Sequence, residues 1–177
     1  MSETAQQYTE RLLTYSQGND ALELLQSAPA KVTGLIHGRS REELTRKPAP
    51  EKWSVAQIIA HLADAEIAIA WRLRQILSKN QVAIDAYDQD LWANAFHYEQ
   101  RDPQQSLAAY RALREADVVL LKSVDLKLWD NYGVHSERGH ESIHHMTKMT
   151  AGHDLNHIKQ IEAILGVTRS IASEGAA

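Results

Sequence analysis

The sequence predicts an all-α protein built as one four-helix bundle. Three observations carry this. Proline and glycine number only 4 and 8 in 177 residues, so few breaks interrupt the helical stretches. Apolar residues recur at three- to four-residue spacing over long windows, and no sustained strand-like alternation appears. Hydrophobic residues make up 44% of the chain, enough for a real core in one domain of this length. The expectation is a single domain over 1–177, with its core at about 20–166 and a small, polar tail at 167–177 that frays.

Residues 4–16 suit a first helix, ended by Gly18 and Asn19. Asp20 with Glu23 has the capping-box spacing and opens a helical piece over 21–27. Pro29 then restarts the helix as an early-turn residue, carrying Val32, Leu35 and Ile36. Pro48-Ala49-Pro50 is a loop, because each proline bars the residue before it from the helical region. The next helix has a clear start: Ser54 and Gln57 form a capping box, and Trp53 can staple onto Ile58. It should run to about Lys79, with Val55, Ile58, Ile59, Leu62, Ala65, Ile69, Leu73 and Ile76 as its buried stripe. Residues 88–97 read as a short helix. Asp102 as N-cap and Pro103 at the first helical position open another long one, with Leu107, Tyr110, Leu113, Val118, Leu121 and Val124 facing inward. Residues 130–141 read as a polar loop. Ser142 caps the last helix, which ends near Leu165 with Gly166 behind it.

Composition narrows the function. The chain has no cysteine, so a transition-metal site would need His, Asp or Glu. A net charge of -4 gives no general attraction to nucleic acid or anionic membrane. Residues 1–10 lack the apolar core of a signal peptide, and no run approaches a membrane span, so the expectation is a cytoplasmic protein. Nine histidines are the compositional oddity.

Two of them stand out. His153 and His157 lie four apart, about 40° apart around a helix axis. They share an arc of roughly 80° with Ile143, Met146, Thr150, Ile161 and Ile164. Burying two imidazoles there costs free energy unless each finds partners, and one metal ion would satisfy both. Two core histidines hydrogen-bonded to other side chains are the alternative. His61 lies on the flank of its own helix, which a bundle can bring against the last one. Three His with open positions is the ligand count of a catalytic site rather than a closed structural one.

Glu66 falls inside the stripe of the His61 helix. It would be a hydrogen-bond acceptor for a ligand histidine, a proton acceptor, or part of a buried ion pair. Asp64 and Asp154 project to other faces and read as solvated or capping. His140-Glu141-Ser142-Ile143-His144 matches the H-E-x-x-H zinc-protease pattern, but a cap at Ser142 leaves His140 and Glu141 outside the helix. His144 and His145 read as polar-face residues, and His37 and His97 as surface or packing residues. The segment 133–139 is either a solvated loop or a substrate rim in which Arg138 meets an anionic group.

Three blocks carry a resemblance. They are Lys52-Trp53-Ser54-Val55-Ala56-Gln57-Ile58-Ile59-Ala60-His61-Leu62-Ala63-Asp64-Ala65-Glu66, then Gly133-Val134-His135-Ser136-Glu137-Arg138-Gly139, then Ala151-Gly152-His153-Asp154-Leu155-Asn156-His157-Ile158-Lys159-Gln160-Ile161. In this order they resemble the DinB-like superfamily, in particular its YfiT-like branch, from about residue 20 to 165. The resemblance implies an up-down-down-up four-helix bundle and a divalent metal held by His61, His153 and His157. It also implies frequent homodimers. Its members include thiol S-transferases using low-molecular-weight thiols such as bacillithiol, relatives of maleylpyruvate isomerase using mycothiol, and proteins named metal-dependent hydrolases.

The functional expectation is a divalent-metal enzyme of this type. It would be a thiol S-transferase or a related hydrolase acting on small electrophilic molecules. The catalytic group would be a water or thiol made more acidic by the ion, with Glu66 in support. Imidazole ligands suit Zn, Ni or Fe comparably. The alternative is a non-catalytic, stress-related bundle whose histidines hold a metal for stability.

Overall fold

A computed structural model describes residues 3–167, so the tail expected to fray lies outside the described residues from position 168 on. The helices are α1 (Ala5–Ser16), α2 (Ala21–Ile36), α3 (Arg41–Thr45), α4 (Val55–Ser78), α5 (Gln89–Ala95), α6 (Pro103–Ser123) and α7 (Ile143–Leu165). A 3-10 turn covers Leu126–Asp130, and three short strands are β1 (Val82–Ile84), β2 (Tyr132–His135) and β3 (Gly139–Ser142). The caps lie where the sequence puts them. Ser54 and Gln57 form the full capping box of α4, Asp102 accepts from Gln104 and Gln105 at the start of α6, and Ser142 accepts from His145. Gly166 ends α7 at φ +66°, a left-handed conformation that glycine adopts without strain.

The four long helices α2, α4, α6 and α7 form the bundle, and the order of their contacts gives its path. Along α4 and α6, Ile58 packs with Leu107 and Tyr110, Glu66 meets Arg114, and Leu73 and Ile76 meet Leu121, so these two helices run parallel. Leu25 clusters with Ala151, and Ile36 with Ile161, so α2 and α7 are parallel too. His61 meets His153 while Ile76 meets Ile143 and Met146, which sets α4 antiparallel to α7. The path is therefore up-down-down-up, as the family resemblance implied. Helix α1 lies outside the ring along α7. Its close approach requires Gly152, where an added Cβ would stand 2.0 Å from the Leu12 carbonyl oxygen.

Two elements differ from the sequence reading. The pieces 21–27 and 29–36 are one helix, with Pro29 buried inside it. Proline at 29 cannot donate to the Leu25 carbonyl, and that carbonyl instead accepts from Arg114 Nη1 at 3.3 Å. The helix survives its proline because a tertiary contact satisfies the freed acceptor. The segment 130–141 is not a loop. It forms a β2–β3 hairpin, and β1 adds in parallel to give sheet order β1-β2-β3. Gly133 sits where a Cβ would come within 2.2 Å of Ile84 Cδ1, so glycine lets β1 and β2 close over the core. Strands of three and four residues are too short to show an alternation signal. Among the described residues, no helix is long and apolar enough to cross a membrane.

Candidate metal centre

The structure brings His61 of α4 together with His153 and His157 of α7. His61 Nε2 lies 3.0 Å from His153 Nε2, and His157 Nε2 lies 3.1 Å from the same atom. All three ligand atoms fall within 4.8 Å of one another. His61 and His157 are buried, whereas 12% of the His153 side chain is exposed. Trp53, the residue before the α4 cap, covers His61 with ring centroids 5.0 Å apart and packs on the core cluster that includes Ile58.

The protonation pattern follows from the outer partners. His157 Nδ1 sits 2.9 Å from Gln160 Oε1, so it carries the hydrogen and Nε2 presents a lone pair inward. His153 Nδ1 is buried without a hydrogen bond, 3.8 Å from Asp154 Oδ1. A hydrogen on that nitrogen faces the carboxylate favourably, which turns the His153 Nε2 lone pair inward as well. Burial pushes His157 down to about 3, and the neighbouring His153 ring acts in the same direction. Burial, followed by the other two rings, also holds His61 well below the usual imidazole range. The inward lone pairs of His153 and His157 repel one another unless a cation lies between them. Tetrahedral ligands at about 2.05 Å from a metal stand roughly 3.3 Å apart, close to the 3.0 and 3.1 Å that separate His153 from His61 and His157. The donor set therefore fits a divalent ion.

Behind the histidines lies a buried charge network only half visible in the sequence. Arg114 of α6 forks onto Glu66, with Nε to Oε1 at 2.6 Å and Nη2 to Oε2 at 2.5 Å. Its Nη1 also donates to Asp154 and to the Leu25 carbonyl. Burial pushes the Glu66 carboxyl up to about 7 despite Arg114. Burial acts in the same direction on Asp154, but the Arg114 charge outweighs it and holds that carboxyl at about 2. Glu66 thus takes the buried-ion-pair role among those the sequence left open. It reaches the histidines only through Arg114 and Asp154.

Asp154 corrects the sequence reading. It is 1% exposed and faces the bundle interior beside His153, not solvent. Position 154 lies on the side of α7 opposite Gly152 and α1, close to the direction of Ile143 and Ile161, and it turns toward Arg114 of α6. Asp64 is bound by Arg101 at 2.8 Å to each carboxylate oxygen. Sequence reasoning missed Arg114 and Gln160. An arginine in the middle of the apolar stripe of α6 was the available signal for Arg114, since a buried guanidinium needs carboxylates. The H-E-x-x-H match dissolves: His140 and Glu141 lie on β3, His144 is exposed, and Glu141 is buried against Arg138.

His61 and His153 open onto a cavity of about 350 Å³, walled also by Tyr8, Arg72, His135 and Arg138. His157 and Gln160 line a second cleft of about 520 Å³ on the other side, with Trp53 and Lys52.

A three-histidine cluster inside an up-down-down-up bundle defines a DinB-type protein. The DinB superfamily model matches residues 24–161, and the chain belongs to that family. Its relatives place it in the YfiT-like branch. YfiT of Bacillus subtilis is 25% identical over 112 residues, a match that spans 63% of each chain. The protein OB0782 of Oceanobacillus iheyensis is 24% identical over 82% of this chain and 84% of its own length. BH0277 of Halalkalibacterium halodurans is 23% identical over 77% of this chain and 80% of its own. All three carry the provisional name of metal-dependent hydrolase. The solved structure of Bacillus subtilis YfiT, described as having an unusual four-helix bundle topology, superposes with a TM-score of 0.76 at 20% identity, covering 94% of this chain and 92% of that one. That likeness concerns the fold.

Proposed function

We propose that this chain is a divalent-metal-dependent enzyme acting on small electrophilic molecules, with His61, His153 and His157 as the metal ligands. The observation that carries the proposal is the cluster of three imidazoles at the wall of the 350 Å³ cavity. A divalent ion held by three neutral ligands would supply Lewis acidity at positions left open to substrate. The provisional names of the relatives support metal dependence.

Between thiol transfer and hydrolysis, the surroundings of the cluster favour transfer. Its buried carboxylates are already engaged by arginines: Glu66 and Asp154 by Arg114, Glu141 by Arg138, and Asp64 by Arg101. None of these is free to take a proton from water. A thiol ionises far more readily than water and needs less help from a base. In the transfer, the thiol sulfur forms a bond to the electrophilic carbon, the bond from that carbon to its leaving group breaks, and the thiol proton leaves with that group. The protein's own parts are positional. Asp154 orients His153, Gln160 orients His157, and Trp53 shields His61 from water. A pair of such chains as a homodimer, and a low-molecular-weight thiol as co-substrate, belong to the same reading.

The test is to follow loss of bacillithiol or glutathione with monochlorobimane by the metal-loaded protein, beside hydrolysis of a 4-nitrophenyl ester. Metal-dependent adduct formation supports transfer. Ester hydrolysis without thiol turnover would assign the site to hydrolysis instead.

A further inference from the structure

The far end of the 350 Å³ cavity holds a buried guanidinium that no carboxylate among the described residues pairs with directly. Arg72 leaves α4 roughly three turns beyond His61 and is 9% exposed. Its Nη2 donates to the Asp85 carbonyl at 2.7 Å, and its guanidinium lies 5.5 Å from the Tyr87 ring centroid. Among the described residues, no carboxylate forms a salt bridge with it. Arg138 reaches the same cavity from the hairpin, but Glu141 neutralises it through hydrogen bonds of 2.6 and 3.1 Å. Two other carboxylates line the cavity: Glu3 is taken by Arg11, and Glu137 is exposed.

A third group converges there. His135 pairs in register with Ile84, the residue before Asp85, so the sheet sets its ring beside the Arg72 anchor. His135 Nδ1 accepts the backbone N–H groups of Glu137 at 3.2 Å and Arg138 at 3.4 Å. The ring hydrogen is therefore on Nε2, which is buried with no partner although the residue is only 2% exposed. An unpaired buried guanidinium and an orphaned N–H both cost free energy, and one bound anion offsets both. Arg72 and Arg138 against Glu141 leave a single positive charge, which matches a monoanion.

We propose that Arg72, with His135 Nε2–H and Arg138, forms a carboxylate-binding subsite, so that the substrate of the three-histidine centre is a small monocarboxylate. The substrate claim rests on the metal-enzyme reading above, while the subsite itself does not. The carboxylate sits at the sheet end of the cavity, and the rest of the molecule extends toward His61 and His153. A planar carboxylate suits the fork of a guanidinium, and a cavity near the small end of the usual range of about 300–1,000 Å³ suits a compact molecule.

The experiment is isothermal titration of chelator-treated protein with benzoate, its neutral isostere benzamide, and inorganic phosphate. Removing metal first ensures that binding does not report coordination to an ion. Benzoate is expected to bind saturably and at least tenfold more tightly than benzamide or phosphate. Arg72→Gln should lose at least tenfold in benzoate affinity, with Arg72→Lys between the two. Arg72→Gln removes an unpaired buried charge, so its melting temperature should not fall. If it does fail to fold, the benzoate–benzamide pair on the unaltered protein and on Arg72→Lys decides. Equal binding of benzoate and benzamide, no saturable binding of benzoate, tighter binding of phosphate, or unchanged affinity in Arg72→Gln would each overturn the subsite. Metal uptake by the same preparation, measured after the chelator is removed and a divalent salt added, separates the two readings. Carboxylate binding by a protein that takes up no metal would leave the subsite and remove the metal enzyme; metal uptake without carboxylate selectivity would do the reverse.

Discussion

Replacing Arg114 by methionine tests how the core around the histidines is held. Arg114 is 2% exposed and serves Glu66, Asp154 and the Leu25 carbonyl at once. Methionine keeps much of the stem and the helix propensity but leaves two buried carboxylates without a cation. Their costs differ. Glu66, pushed up to about 7 by burial, is already close to protonation at neutral pH and can shed its charge cheaply. Asp154 is held at about 2 and must either stay ionised in a dry core or take up a proton against its acidity. Breaking a buried pair costs about 3–5 kcal/mol, and we expect Asp154 to dominate that sum. For a domain of this size, 1 kcal/mol corresponds to roughly 2–4 °C, so the melting temperature should fall by about 6–20 °C at pH 7.5. The gap should narrow at pH 5.5. In the variant both carboxyls lie above their unfolded values, so their contribution is present at low pH and lost as pH rises. Asp154→Asn in the Arg114→Met background should recover part of the loss. Differential scanning calorimetry at the two pH values gives the answer. A drop below about 2 °C, or a gap that widens at low pH, would refute the reasoning.

Three further outcomes follow from particular contacts. Gly152→Ala should force α1 away from α7 against the Leu12 carbonyl and cost about 1–3 kcal/mol, read as a lower melting temperature; an unchanged value would contradict the close approach. Ser54→Ala should remove the α4 capping box for about 0.5–2 kcal/mol by urea titration, and a neutral effect would mean the cap is idle. In metal-free protein, His157 is depressed to about 3 from 6.5, so its contribution is complete above about pH 6.5 and fades as pH falls toward 3. Glu66, raised to about 7 from 4.5, acts oppositely, its contribution fading as pH rises from 4.5 to 7. Glu66→Gln should therefore steepen the loss of stability between pH 6.5 and 5, at up to about 1.4 kcal/mol per pH unit for each proton taken up. An unchanged slope in urea midpoints over that range would count against the buried, ionisable Glu66.

The bundle was legible in the sequence because its signals are local. Ser54, Asp102 and Ser142 cap where their chemistry says, and the stripe of α7 carries both histidines inward. The flank position of His61 on α4 allowed its approach, and the family resemblance carried by the three sequence blocks implied it. What stayed hidden depends on partners distant in the chain. Pro29 looked like a break because the donor that replaces its missing hydrogen bond, Arg114, lies on another helix. Asp154 looked exposed because its partner, Arg114, lies on α6, about forty residues away in the chain. The 130–141 hairpin escaped because its third strand is supplied by Val82–Ile84, fifty residues earlier. His135 and Arg72 meet only through that sheet, so no spacing in the sequence joins them.

The central claim is that His61, His153 and His157 hold one divalent ion. The most direct measurement is elemental analysis of the purified protein beside His157→Ala, with melting temperatures before and after chelation. The unaltered protein should carry close to one equivalent of metal and show a lower melting temperature once it is removed. His157→Ala should carry little metal and show little response to chelator. Equal, stoichiometric metal in both proteins would contradict it.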